Sequence, residues 1–263
     1  MKAQSNAKQW ALVTGASSGL GIDFASQLAA RGYDLVLAAR RAEPMQQLAR
    51  QLRERHGIEV VVETIDLAEA HAGLQLKQTL DNRGITIDVL INNAGYGLFG
   101  KFIEQPISRT LEMLQIDIVT VTELSHLFGS DMARRGRGHI LQIASIGAYQ
   151  ATPTYAAYAA AKAYVLSFGE ALHEELKPHG VTVTVLSPGV TATSFLDIAG
   201  QRPTLYQRLA MMKSDDVVKT GLDALFRGRA SLLSGCLNTI TAWSNRLTPR
   251  IAQRKIAALL MSY

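Results

Sequence analysis

Cysteine is nearly absent from this chain of 263 residues, since Cys236 is the only one. A single cysteine excludes an intramolecular disulfide framework and any Cys-x-x-Cys metal or redox motif, which favours a reducing compartment. No run approaches the roughly 18 consecutive apolar residues of a membrane-spanning helix, so we expect no membrane span. The N-terminal residues lack an apolar core long enough for a signal peptide. These absences together predict a cytoplasmic location.

Aromatic residues and long blocks of one charge are also scarce. Phe, Trp and Tyr make up 6% of the residues, and the net charge of +5 arises without a long Lys/Arg block. A basic arm for nucleic acid would need such a block, so we expect a solvated basic surface and no nucleic-acid partner. The histidines show no metal-ligand spacing with cysteine or acidic residues, and we expect no metal site.

What the chain does contain is a regular alternation of apolar runs and helix-like segments. The apolar runs are WALVT, DLVLAA, EVVVETI, DVLIN, HILQIA and VTVTVLS. Because the intervening lengths suit crossover helices, the pattern predicts one α/β domain over residues 1–263, a doubly wound parallel sheet with helices on both faces. Residues 190–214 form the one irregular stretch, where we expect a substrate loop.

A glycine-rich turn, TGASSGLG, directly follows the first apolar run. In a doubly wound sheet, bare backbone at this point lets a pyrophosphate approach the N-terminus of the next helix, and serine hydroxyls add donors. Alone the motif is weak, because its spacing is not the commoner G-x-G-x-x-G, and a turn without a ligand is the alternative. The predicted cofactor contacts in this turn are Gly15, Ser17, Ser18, Gly19, Leu20 and Gly21.

Further motifs follow the turn in order. NNAG ends the fourth strand at Gly95, Ser145 precedes Tyr158 by 13 residues, YAAAK opens a helix and SPG ends the sixth strand. With the glycine turn, this ordered set resembles the short-chain dehydrogenase/reductase family over residues 10–195, and especially its bacterial, ketoreductase-type branch. The resemblance implies a Rossmann-type fold, a nicotinamide cofactor and a small-molecule carbonyl or alcohol substrate.

Tyr158 is the expected proton donor in such a reaction. An unperturbed tyrosine has a pKa of about 10 and is a poor base at neutral pH. Lys162 lies one helical turn later on the same face, so we expect its ammonium to stabilise the phenolate and lower the pKa of Tyr158. We expect Ser145 to orient the substrate oxygen. By resemblance, Lys162 also binds the nicotinamide ribose.

A second tyrosine, Tyr155, stands seven residues before Lys162, and this spacing is similar to that of related enoyl reductases. Those enzymes reduce carbon–carbon double bonds and usually have a degraded glycine turn and no serine at the position of Ser145. Because this chain has both the intact turn and the serine, the sequence favours carbonyl chemistry, with Tyr155 lining the substrate pocket. An enoyl-type reductase that uses Tyr155 is the alternative.

Asp117 departs from the family pattern. The resemblance implies an asparagine at this point, in a locally distorted helix that holds a water for a proton relay with the lysine. Aspartate can share that backbone geometry, but its carboxylate adds charge near Lys162. A catalytic substitute and an inert replacement both stay open. The second would suit a catalytically silent nucleotide-binding protein, against which the intact set of Ser145, Tyr158 and Lys162 argues.

The end of the second strand predicts the choice of cofactor. An acidic residue there binds the ribose 2′-hydroxyl of NAD, whereas arginine accommodates the 2′-phosphate of NADP. The segment LVLAARRAE has Arg40 and Arg41 at this edge, so we expect NADP(H) to be preferred over NAD(H), with Arg40 on the phosphate and Arg41 as helper. By resemblance, the other cofactor contacts are Asp66, Leu67, Asn93, Ala94, Gly95, Tyr158, Lys162, Pro188, Gly189, Val190, Thr191 and Thr193.

The sequence outside these motifs is less informative about function. The apolar 190–214 loop suits a hydrophobic substrate and equally a packed core, and the resemblance implies a homodimer or homotetramer. Residues 248–263 predict an amphipathic helix with Arg250 and Arg254 on one side. We expect its apolar stripe to pack within the protein or oligomer, ahead of weak binding to an anionic membrane. The stripe consists of Ala252, Ile256, Leu259, Leu260 and Tyr263.

Overall fold

A seven-stranded parallel sheet forms the centre of the computed structural model, which describes residues 8–192, 195–201, 211–245 and 247–261. The strand order is β3-β2-β1-β4-β5-β6-β7, which confirms the predicted doubly wound sheet. The strands are β1 Trp10–Thr14, β2 Asp34–Ala39, β3 Val60–Thr64, β4 Ile87–Asn92, β5 Gly138–Ile143, β6 Val181–Ser187 and β7 Ser231–Leu233.

Helices cover both faces of the sheet. One apolar layer packs α1, α2 and α8 against it, and the other packs α3, α5 and α6. Within the described residues, no helix is long and apolar enough to cross a membrane. The helices are α1 Leu20–Ala29, α2 Ala42–His56, α3 Ala72–Asn82, α4 Ile107–Leu114, α5 Val121–Arg135, α6 Ala156–Leu176, α7 Phe195–Ala199, α8 Ser214–Phe226, α9 Cys236–Ser244 and α10 Arg250–Met261.

The apolar runs became strands because both faces of the sheet are buried. Every residue of β2 and β4 is buried, and such strands need nearly continuous apolar sequence. The strand β7 was not predicted, since its three residues are too short to form a pattern. It pairs with the end of β6 and brings Ser234 to the Gly189 amide, with 3.1 Å between nitrogen and Oγ. The missed strand therefore supports one edge of the site.

Candidate active site

Thr14 joins the carboxyl ends of β1 and β4. Its hydroxyl donates to the Ile91 carbonyl at 3.1 Å and accepts from the Asn93 and Ala94 amides at 3.0 Å each. The Asn93 side-chain amide returns a bond of 2.8 Å to the Thr14 carbonyl. These bonds fix two strand ends at the crevice where ligands of open α/β sheets bind. The sequence prediction missed Thr14, although it is the first residue of the TGASSGLG motif.

The glycine turn between β1 and α1 is built for close approach. Gly15 and Gly19 have φ angles of 67° and 55°, in the left-handed region that other residues rarely adopt. A Cβ at position 21 would lie 2.2 Å from the Gly15 carbonyl oxygen, so Gly21 lets the helix pack on the turn. No side chain caps α1. The Gly21 and Ile22 amides donate to the carbonyls of Ser18 and Gly19, and the positive end of the helix dipole faces the turn without a capping side chain, which fits a pyrophosphate.

The two predicted arginines lie at different points beside the turn. The Arg41 guanidinium is 3.2 Å from the Ser17 carbonyl oxygen and 3.3 Å from its hydroxyl. The Arg40 guanidinium is 3.1 Å from a carboxylate oxygen of Glu112 and 3.9 Å from one of Asp66. An anion at Arg40 thus has to compete with carboxylates, a feature that the sequence did not reveal.

Ser145, Tyr158 and Lys162 come together beyond the end of β5. The Ser145 hydroxyl accepts from the Gly147 amide at 3.1 Å, and its interaction with the Tyr158 hydroxyl lowers the pKa of that phenol. The Lys162 ammonium lies 5.7 Å from the centre of the Tyr158 ring. It also donates to the carbonyl of Ile143, the last residue of β5, at 3.1 Å. The predicted constellation is therefore present as a spatial cluster.

The pKa of Tyr158 differs from our expectation. We predicted that Lys162 would lower this pKa, but burial of the hydroxyl raises it, and the negative charge of Asp117 raises it further. The hydrogen bond from Ser145 has a smaller, opposing effect. The Asp117 carboxylate, 3.4 Å from the Lys162 ammonium, shifts the pKa of Tyr158 in the direction opposite to the one that we expected from the lysine. Tyr158 is consequently a protonated donor at neutral pH.

Asp117 lies in a π-helical turn, Gln115–Thr120, which joins α4 to α5. Its side chain is fully buried, with one carboxylate oxygen 3.4 Å from the Lys162 ammonium. The other oxygen, Oδ2, has no hydrogen-bond partner among the described residues. Burial raises the pKa of Asp117 to about 6, although Lys162 acts in the opposite direction. A Cβ at Gly95 would lie 2.1 Å from the carboxylate, so the glycine makes room for it.

Tyr155 packs beside Tyr158, with 5.7 Å between ring centres. Its hydroxyl donates to the Gln201 side-chain carbonyl at 2.8 Å, and burial raises its pKa. Its ring packs 5.4 Å from that of Phe99, measured between ring centres. Phe195 packs at the same distance from Tyr158. Tyr155 thus belongs to an aromatic wall, whereas the Tyr158 hydroxyl is the one that interacts with Ser145.

One cavity of about 980 Å³ runs from the glycine turn past Tyr158 to the aromatic wall. It is lined by every predicted site residue except Gly21, which packs behind the turn, Asp117, which lies behind Lys162, and Thr193, which lies outside the described residues. Within the described ranges, no group of His, Cys, Asp and Glu could hold a metal ion. The lining residues that the sequence did not single out include Arg109, Gln150, Thr152, Leu196, Asn245 and Ala257.

Comparisons with known proteins agree with this geometry. Residues 9–203 match the family model for short chain dehydrogenase. A very-long-chain 3-oxoacyl-CoA reductase of Phaeosphaeria nodorum is 33% identical over 195 residues, which are 72% of this chain and 57% of that enzyme. The chain thus spans little more than half of that relative's length. The enzyme of the same name from Mus musculus is 32% identical over 88% of this chain and 75% of its own length.

A solved structure is also similar. The short-chain dehydrogenase from Sphingobium yanoikuyae in complex with NADPH has a TM-score of 0.81 and 28% identity, covering 91% of this chain and 94% of that one. The similar proteins include fungal, mammalian and bacterial enzymes. The bacterial, ketoreductase-type branch therefore stays a prediction.

Proposed function

This chain belongs to the short-chain dehydrogenase/reductase family of oxidoreductases, and on that premise we propose that it interconverts a carbonyl and a secondary alcohol with NADP(H). The observation that carries the proposal is one cavity that joins the uncapped start of α1 to Ser145, Tyr158 and Lys162. A nucleotide-binding protein without activity would not need Ser145, Tyr158 and Lys162 in the same cavity.

The residues of the cavity suit a carbonyl reduction. NADPH, when bound, supplies the hydride for the carbonyl carbon. Tyr158 donates its proton to the carbonyl oxygen, and the Ser145 hydroxyl holds that oxygen by a hydrogen bond. Because burial raises the pKa of Tyr158, the donor is protonated at neutral pH, which favours the reductive direction. The Lys162 ammonium then stabilises the phenolate that remains.

Asp117 tunes this proton transfer rather than being inert. Its carboxylate contacts the Lys162 ammonium, and its charge opposes formation of the Tyr158 phenolate. The π-helical turn and the bare Gly95 give the carboxylate its place behind the lysine. Its free oxygen Oδ2, buried and without a partner among the described residues, suits a water in the relay.

Asp117→Asn should change the pH dependence of alcohol oxidation. Oxidation needs the Tyr158 phenolate as base, and removal of the Asp117 charge lowers the pKa of Tyr158. The rise of kcat/KM with pH, measured with NADP⁺ and an alcohol substrate, should therefore begin at lower pH than in the wild type.

Stability provides a second readout for the same variant. The pKa of Asp117 is about 6 in the folded protein against 3.8 for an ordinary carboxyl, so the folded state binds the proton more tightly. The free energy of unfolding of the wild type should fall as pH rises through this interval, and the asparagine variant should lack this fall.

If the activity profile of Asp117→Asn matches that of the wild type, Asp117 is an inert replacement.

The substrate class that we propose is a 3-oxoacyl thioester with an apolar chain. The relatives described above are named 3-oxoacyl-CoA reductases. Beyond Tyr158, the cavity wall includes Phe195, Leu196 and Ile198, which suit a hydrocarbon chain. These residues lie in the 190–214 stretch, whose apolar sequence suits a hydrophobic substrate and equally a packed core.

A series of 3-oxoacyl thioesters of increasing chain length tests this proposal. Each methylene buried in the apolar wall contributes about 0.8 kcal/mol, so kcat/KM for NADPH oxidation should rise roughly fourfold per methylene until the cavity is full. A panel of small hydrophilic ketones serves as the control. Equal rates for both panels would contradict the substrate class. NADPH binding without turnover of any compound would instead favour a silent nucleotide-binding protein.

Assembly and location are proposals as well. We propose a homodimer or homotetramer built on α5 and α6, in the cytoplasm. Val119 and Tyr164, which are 50% and 37% exposed, offer apolar surface beside these helices. The Tyr164 ring stacks on that of Phe168, and its hydroxyl lies 2.8 Å from the Thr122 hydroxyl, so contacts within the chain hold this side chain at the surface.

A further inference from the structure

The helix α10 packs against the rest of the protein through its small side chains. Ala257 is 2% exposed and lines the cavity. One turn earlier, the Gln253 side-chain amide donates to the carbonyls of Asn245 and Thr248. Asn245 also lines the cavity, and its amide donates to Gln150 at 3.0 Å. The helix α10 therefore forms part of the cavity wall, with the cavity on one side and the protein surface on the other.

The outer face of the same wall is apolar. Ile251, Ile256 and Leu259 are 62%, 54% and 77% exposed, and Leu247, just before the helix, is 74% exposed. At about 100° per residue, the three helical side chains lie within one arc of about 140°. Ile256 and Leu259 of the expected stripe therefore do not pack within the single chain, and their packing in an oligomer stays a prediction. Leu260 and Tyr263 have no described side chains.

The sequence segment that contains this face has charge of one sign. The last 40 residues contain six Lys or Arg and no Asp or Glu, a net charge of +6, whereas the rest of the chain has a net charge of −1. On α10, Arg250, Arg254 and Lys255 are exposed, and none of them forms an ion pair within the part of the chain that the structure describes. Cations beside exposed apolar side chains are typical of helices that lie in the interface of an anionic bilayer.

We propose that the outer face of α10, defined as Ile251, Ile256 and Leu259, docks on an anionic membrane surface with the help of the exposed Arg250, Arg254 and Lys255 of the same helix. Apolar side chains enter the acyl boundary, and the cations meet lipid phosphates. The inner face of the same helix lines the cavity, so docking brings the cavity wall to the lipid. An apolar substrate dissolved in the bilayer then has a short path into the site. A cytoplasmic location is compatible with such peripheral binding.

A second copy of the chain fits this face less well. A two-fold contact centred on α10 would bring Arg250, Arg254 and Lys255 of both copies together. Like charges placed opposite each other weaken such a contact, and the surrounding residues 224–263 contain no acid to offset them. Anionic lipid supplies the opposite charge that a second copy lacks here.

Vesicle co-sedimentation of the full chain tests the proposal without any substrate. The protein should sediment with vesicles of phosphatidylcholine and phosphatidylglycerol, and more than tenfold less with phosphatidylcholine alone. The variant Ile251→Ser/Ile256→Ser/Leu259→Ser should lose binding, because it removes the inserted apolar groups. The variant Arg250→Gln/Arg254→Gln/Lys255→Gln should bind more than tenfold more weakly, and added salt should weaken the wild type in the same way.

A matched control comes from a second exposed apolar patch with mixed charge. Ile103, Ile107 and Leu111 are 89%, 61% and 58% exposed, and their triple serine variant should bind vesicles as the wild type does. Unchanged thermal unfolding and NADPH binding show that each variant is folded. Equal loss in both apolar triples, or no binding by the wild type, overturns the proposal. A smaller oligomer in the α10 triple without vesicle binding assigns the face to a second copy instead.

Discussion

Replacing Tyr158 with phenylalanine is expected to abolish carbonyl reduction while NADPH binding stays close to that of the wild type. The ring keeps its packing between Tyr155 and Phe195, at 5.7 Å and 5.4 Å between ring centres, and loses only the hydroxyl that interacts with Ser145. Positioned general acids contribute about 10²–10⁴-fold to rate, so kcat should fall by at least roughly 100-fold. Steady-state kinetics and NADPH titration measure the two quantities separately.

Tyr155→Phe is the matched control, because it removes the same atom one helical turn away. Its hydroxyl bonds Gln201 rather than Ser145, so the loss should weaken substrate binding slightly and leave kcat nearly unchanged. If Tyr155→Phe instead abolishes activity and Tyr158→Phe is mild, the proton donor is Tyr155. An enoyl-type reductase would then be the better assignment.

The sequence was most informative where one physical requirement governs many residues. Strands buried on both faces must be apolar throughout, and β1, β2, β4, β5 and β6 could be predicted for that reason. The apolar run of β3 was recognised too, although this edge strand is mostly only half-buried. The carboxyl ends of parallel strands meet at one edge, so motifs such as NNAG, Ser145 and SPG were expected to share a site. They line a single cavity. The short β7 obeys no such pattern and was missed.

Other features depend on contacts between distant parts of the chain and could not be predicted. The pKa of Tyr158 is set by burial and by Asp117, which lies 41 residues earlier in the sequence. Helical spacing indicated that Lys162 lies on the same helix face as Tyr158. It did not indicate that the Asp117 carboxylate would contact the lysine ammonium. For α10, spacing grouped the apolar residues without showing which side meets the protein. Its smaller residues, including Ala257, fit against the cavity.

Arg40→Ala should remove most of the preference for NADPH over NADH. A charge-assisted bond between the guanidinium and the 2′-phosphate contributes about 1.5–3 kcal/mol, which corresponds to a roughly 10- to 150-fold preference. NADH has no such phosphate, so its dissociation constant should hardly change. Arg41→Ala should weaken both cofactors, because Arg41 contacts Ser17 in the glycine turn. Equal affinities of the wild-type protein for NADPH and NADH would contradict the assignment.

Glu112→Gln separates two explanations of the Arg40 effect. The carboxylate of Glu112 lies 3.1 Å from the Arg40 guanidinium, and this half-exposed pair has to open or share its charge when a phosphate binds. Exposed ion pairs contribute about 0.2–1 kcal/mol, so the glutamine variant should bind NADPH roughly 1.5- to 5-fold more tightly, with NADH unchanged. Weaker NADPH binding would mean that Glu112 positions Arg40 instead of competing for it. Because glutamine keeps the shape and a hydrogen-bonding oxygen, the result depends on charge alone.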